Sequence, residues 1–197
     1  MEAEKAEPAA GVAAGNCYLV IAGQPLSADE RREICERPAG ASGPSLNELV
    51  AMEFQRTAIP ASSIAIQPPE GVTLVNLDTL FATDAVAFEE GFTLLGREVT
   101  LRITPVEFEW ITGDGGSFTT TTPGMAYEQG RPMTDYVSWK YLQPAQALGP
   151  SVNVTWTAEF RIAGGDWLPV QGTVTTTGPA AELEVKEAVP VLVGGDG

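Results

Sequence analysis

Past Pro60 the apolar positions of this chain recur every second residue, and proline and glycine pairs cut the pattern into short runs. Alternation of this kind places one face of a strand on a core and the other toward solvent. The runs are Val72 to Thr83, Phe92 to Leu95, Glu98 to Ile103, Glu107 to Ile111, Tyr136 to Tyr141, Val152 to Ile162, Trp167 to Thr177 and Leu183 to Val193. The alternation is clearest in Val152 to Ile162. There Val152, Val154, Trp156, Ala158, Phe160 and Ile162 share one face, and Asn153, Thr155, Thr157, Glu159 and Arg161 share the other. Breaks fall at Pro68-Pro69, Gly91, Gly96, Gly113 to Gly116, Pro123-Gly124, Gly164-Gly165 and Gly178-Pro179. Many short strands with such turn signals predict an all-β sandwich.

Ahead of Pro60 the period changes. Ser45-Leu46-Asn47-Glu48 has capping-box form, and Leu46, Leu49, Val50 and Phe54 follow at helical spacing. A short amphipathic helix is predicted as far as Arg56, its apolar stripe turned to the sandwich or to a partner. Ser27 to Glu30 predicts a second short helix, through Glu36, and Cys17 to Ala22 a short strand. Residues 1–15, rich in alanine, glutamate and glycine, read as a flexible tail. The expected organisation is that tail, an N-terminal extension over 16–66, and a sandwich over 67–193.

An aromatic-rich stretch gives the sandwich a more specific look. Glu107-Phe108-Glu109-Trp110 ends at Gly113-Asp114-Gly115-Gly116, a threonine run follows, and Val137-Ser138-Trp139-Lys140-Tyr141 returns as a second aromatic strand. This order resembles the PKD domain, an immunoglobulin-like β-sandwich with a W-x-F-G-D-G turn and a later V-x-H-x-Y strand. Trp110, Gly113, Asp114, Gly115 and Tyr141 match that pattern, over roughly a fifth of the chain. Thr112 replaces the phenylalanine, and Trp139 stands at the histidine position. The run Val72 to Thr79 is similar to the opening strand of PKD-like secreted proteins of actinobacteria. The resemblance implies a non-enzymatic extracellular or cell-surface module that contacts protein or carbohydrate, or acts as a spacer. A subunit of a larger surface or phage assembly and a carboxylate-dependent hydrolase stand as alternatives.

The chain has 197 residues, with 26 acidic against 11 basic ones and a formal net charge of −15. Such a chain is repelled by phosphate backbones, so nucleic acid is not an expected partner. Histidine is absent, which removes Ser-His-Asp and Cys-His catalysis and the usual neutral-pH base. The two cysteines, Cys17 and Cys35, suit one disulfide in an oxidising compartment, with two buried free thiols the other reading. Met1 to Lys5 is acidic and lacks the features of a signal peptide, so a secreted or surface location implies either a signal removed ahead of this start or a start trimmed from a longer chain. No run has the length of a membrane span, and direct insertion is not expected.

The candidate chemistry is thin, and no catalytic residue, metal site or cofactor is expected. Glu107 and Glu109 share a strand face, the solvated side of a half-buried strand or an acid/base pair. Asp114 is read as a turn former between glycines that permit positive φ. Calcium ligation with Asp84 or Asp135 is the other reading. Trp110, Tyr141 and Trp156 are expected in the core. Trp167, after Gly164-Gly165-Asp166, is the candidate exposed aromatic for binding. The sequon Asn153-Val154-Thr155 sits within a predicted strand.

Overall fold

The computed structural model describes residues 44–188 and, ahead of them, one short strand pair, β1 (Val20–Ile21) and β2 (Gln24–Pro25). Cys17, Cys35, the tail and the helix expected from Ser27 lie outside the described residues, as does the chain beyond Ala188. Within the described residues the protein is mostly β, with one α-helix, α1 (Leu46–Arg56).

The helix follows its sequence signals closely. Ser45 accepts a hydrogen bond from the Glu48 amide, and the Glu48 carboxylate accepts one from the Ser45 amide, closing the capping box. Leu46, Val50 and Phe54 are buried, Phe54 fully. They join the same apolar cluster as the strands, so the stripe faces this core. The helix end is tied across the molecule, where Gln55 Nε2 donates to the Thr173 carbonyl at 3.1 Å.

Two long strands form the spine: β7 (Arg97–Ile111) and β11 (Ser151–Ile162). They pair antiparallel over the whole of β11, against Val99 to Ile111 of β7. β6 (Phe88–Leu94) and β8 (Ser117–Thr120) flank successive halves of β7. β12 (Leu168–Pro169) and β13 (Val174–Thr177) flank β11. A second sheet, ordered β3 (Ile64–Gln67), β5 (Asp78–Thr83), β9 (Val137–Lys140), is antiparallel throughout. It meets the first face to face, with the Phe81 ring 6.0 Å from Trp110. In the third sheet β14 (Leu183–Lys186) lies between β10 (Ala145–Leu148) and β4 (Val72–Leu74), parallel to the latter. The expected boundary at 66/67 falls inside β3.

Several expected runs are rearranged, each for a local reason. Glu98 to Ile103 and Glu107 to Ile111 are one strand. Thr155 faces Glu107 and Trp156 faces Pro105, which leaves Val106 as a bulge. The bulge reverses the alternation: Val99, Leu101 and Ile103 point inward before it, Phe108 and Trp110 after it. Pro105, with no N–H to give a ladder, sits at this irregularity. The run from Val72 to Thr83 breaks at a turn in which Asn76 takes φ 63°, and the Asn76 amide donates to the Tyr141 carbonyl. The aromatic strand after the Gly-Asp-Gly turn is not its hairpin return. That partner is β8, because five residues, Thr112 to Gly116, close Ile111 directly onto Ser117.

Candidate functional site

The Gly-Asp-Gly turn is densely hydrogen-bonded. Gly113 and Gly115 hold φ of 84° and 94°, and a Cβ on Gly113 would lie 2.9 Å from the Gly149 amide nitrogen. Thr112, fully buried, donates its amide to the Gly116 carbonyl. Its hydroxyl lies within hydrogen-bond reach of that carbonyl and of Asp114 Oδ1. Asp114 Oδ1 also accepts the Gly116 amide at 3.1 Å, and Oδ2 accepts the Trp139 indole N–H at 3.2 Å. Burial raises the Asp114 carboxyl. The hydrogen bonds from Thr112, Trp139 and the Gly116 amide outweigh that and hold it below the usual carboxylate range. Beneath the turn the Tyr141 hydroxyl donates to the Thr112 carbonyl at 2.8 Å. Burial, with the Asp114 charge adding, pushes that phenol well above its ordinary range.

The turn ends an aromatic series that starts in the core. Phe108, Trp110, Phe81, Phe118 and Trp139 stack in succession with centroid separations of 6.3, 6.0, 6.4 and 5.5 Å. Trp139, at the rim, is half-buried, whereas Val137 and Tyr141 beside it on the same face are buried. Trp110 and Trp156 are buried as well, and both belong with Tyr141 to one core cluster.

Trp167 is placed differently from a free stacking platform. It is half-buried, and the guanidinium carbons of Arg102 and Arg161 lie over its ring, 4.3 and 4.4 Å from the centroid. Arg102 in turn holds Glu159 at 2.5 Å, and Arg161 holds Glu89 at 3.3 Å. Glu89, Arg102 and Glu159 are register neighbours across β6, β7 and β11. The indole therefore belongs to a charge network on the outer face of the six-stranded sheet.

The remaining candidates are not brought together. Glu107 is exposed on that same outer face, and Glu109 accepts the Asn153 amide N–H at 2.9 Å. The sequon asparagine thus lies in the central strand β11 with its side-chain Nδ2 engaged. Asp84 accepts the Ser63 amide, and Asp135 pairs with Arg131, so neither stands with Asp114. Among the described residues no cluster of three or more acidic, cysteine or histidine side chains could hold a metal ion. No described helix is long and apolar enough to cross a membrane. A depression of about 460 Å³ beside β10 and β14 is lined by Pro144, Ala145, Gln146 and residues 184–187, none of them a candidate.

The loop between β8 and β9 carries long-range contacts that its sequence signals, the Pro123-Gly124 break and the run from Tyr136, do not announce. Pro123 accepts the Thr83 amide, and Gly124 bridges to Ala82, where a Cβ would fall 2.1 Å from the Phe81 carbonyl oxygen. Gln67 Oε1 accepts the Tyr127 amide at 2.6 Å. The Tyr136 hydroxyl bonds both the amide and the carbonyl of Glu128, at 2.8 and 2.9 Å. A 3₁₀ turn, Met133–Asp135, closes the loop. The available signal was length: sixteen residues, 121–136, between two strands is longer than ordinary connections, and such loops often carry function.

No protein-family model matches this chain, and neither a curated protein nor a solved structure is significantly similar to it.

Proposed function

We propose that the chain is a PKD-like, immunoglobulin-type β-sandwich that serves as a non-enzymatic interaction module outside the cell or at its surface. The way Asp114 is held carries this reading. A carboxyl that works as a general acid is kept protonated by an environment that raises its pKa. Asp114 is shifted the other way, and both its oxygens accept hydrogen bonds from the turn and from Trp139. The turn that matches the family pattern is spent on architecture, which leaves the loops as the contact surface. Glu107 and Glu109, the pair on which a hydrolase would depend, stand on an open sheet face.

The test is titration of the labelled chain onto intact cells of the organism that makes it. Saturable binding, unchanged in Glu107→Gln and Glu109→Gln, is the expected result. Absence of saturable binding overturns the reading, as does hydrolysis of a glycoside or peptide panel that those substitutions abolish.

A second reading, as a subunit of a larger surface or phage assembly, has one feature of β6 for it, a single-sided pairing, and one against it, the charge on that edge. Among the described residues this strand pairs on one side only, with β7. Glu89 and Glu90, both exposed, lie on that edge, and charges of this kind oppose strand addition. Concentration-dependent assembly in sedimentation velocity would favour this reading over the first.

A further inference from the structure

We propose that the loop over 121–136 is the docking surface of the module, and that its partner is a protein segment presenting lysine or arginine beside aromatic or aliphatic side chains. The proposal rests on the interaction-module reading and assigns it a place and a partner chemistry.

The loop is built to hold its shape. It is fixed at its start by the Pro123 and Gly124 contacts to β5, in its middle by Gln67, and at its end by the two hydrogen bonds of the Tyr136 hydroxyl with the Glu128 backbone. A loop held this way loses little conformational entropy on binding, which favours affinity. On this frame Tyr127 is 55% exposed although it stacks on Tyr136, with ring centroids 5.9 Å apart. Met133, three residues before Tyr136, is 43% exposed. Tyrosine and methionine are enriched at protein interfaces, and a stacked tyrosine offers rigid apolar area with a polar tip.

Charge selects the partner. Glu128 and Asp135 flank these side chains, and the single Arg131 lies between them, 2.7 Å from the first and 3.7 Å from the second. The loop therefore keeps an excess negative charge, on a chain whose formal net charge is −15. A second copy of this chain, a nucleic acid or an anionic lipid surface would meet like charge, whereas a cationic protein surface would be drawn in.

The experiment selects a random peptide display library against the full chain. Enriched peptides are expected to combine lysine or arginine with aromatic or aliphatic residues. Tyr127→Ala should weaken their binding in solution about tenfold or more, the loss typical of a central anchor. Glu128→Lys, which leaves the backbone bonds to Tyr136 in place, should weaken it independently. Melting temperatures of both variants are measured alongside, so that misfolding is not read as lost contact. Acidic peptides, no enrichment, or peptides indifferent to both substitutions would overturn the docking assignment. A glycan-array signal removed by Tyr127→Ala would also overturn it, in favour of a carbohydrate. Saturable cell binding that survives Tyr127→Ala sinks this surface alone; absence of any saturable cell binding sinks the module reading with it.

Discussion

The two faces of the β7–β11 pair use tryptophan in opposite ways. On the inner face Trp110 and Trp156 are fully enclosed, and each indole N–H needs a partner there. Trp110 faces Phe118 in the ladder and donates to Thr120, two residues on, at 2.9 Å. Trp156 faces Val174 and donates to Thr176, again two residues on, at 3.0 Å. The same diagonal is used twice, from a long central strand to a short flanking one. On the outer face Trp167 is half-open, and two guanidinium groups lie over its ring. The inner face gives its tryptophans polar partners so that they can be buried. The outer face uses its tryptophan to organise charge beside water.

Removing an inner indole tests the contrast most strongly. Trp156→Ala should cost about 3–5 kcal/mol, the range for large aromatic truncations in a core. Phe88, which meets Trp156 edge-on at 6.0 Å, loses its partner in the same step. Urea denaturation reads the loss, and a value below ~1 kcal/mol would place Trp156 with surface residues. Thr176→Val keeps the shape and removes only the acceptor. It should cost ~1–2 kcal/mol, the penalty for stranding a buried donor. A neutral result would show that the diagonal bond is incidental.

The turn at the rim lies between the two regimes. Asp114→Ala strands Gly116 and Trp139 at a site open to solvent, so roughly 1 kcal/mol is expected. Calcium should leave the wild-type melting temperature unchanged, and a calcium-dependent rise that disappears in Asp114→Ala would convert the turn into a metal site. Acid gives an independent check. The folded Asp114 has a depressed pKa, so its stabilisation is present above the ordinary aspartate pKa and lost as pH falls through the folded value. Asp114→Asn should flatten the stability curve in that acid window and leave it parallel to wild type near neutrality. Curves that stay parallel below the ordinary aspartate pKa would show that the carboxylate is not coupled to folding.

Much of the architecture was legible because burial follows periodicity. The capping box at Ser45 appears as the sequence presents it, and so do the stripe Leu46, Val50, Phe54, with Leu49 only half-buried, and the alternation of β11 from Val152 to Phe160, with Ile162 at its end half-buried. What was illegible depends on pairing. Pro105 marks an irregularity beside Val106, but its presence does not say that β11 skips Val106, and that one residue reverses which side chains of β7 reach the core. The threonine run after the Gly-Asp-Gly turn carries weak apolar alternation, so β8 was hidden, although Thr120 closes the bond that lets Trp110 be buried. Thr112 looked like a departure from a motif. Its role shows only when Tyr141, 29 residues on, bonds its carbonyl. The loop over 121–136 lacks periodicity altogether. Its order comes from contacts to Gln67, Phe81 and Ala82, which are distant in sequence.

The outer tryptophan supplies the smallest expected effect. Trp167→Ala removes two cation–π contacts at a half-exposed site, and such contacts are worth about 0.5–1 kcal/mol each when solvent is near. Arg102 and Arg161 keep their partners Glu159 and Glu89 after the substitution, so the guanidinium charges are not stranded. The acidic side chains are 44% and 48% exposed, and pairs of this kind contribute little on their own. Part of the lost contact is then recovered by hydration, and the net cost should be no more than ~1 kcal/mol. Denaturation in parallel with Trp156→Ala makes the comparison direct. A loss for Trp167→Ala matching that of Trp156→Ala would mean that the outer face holds a second buried core and that the contrast between the faces is false.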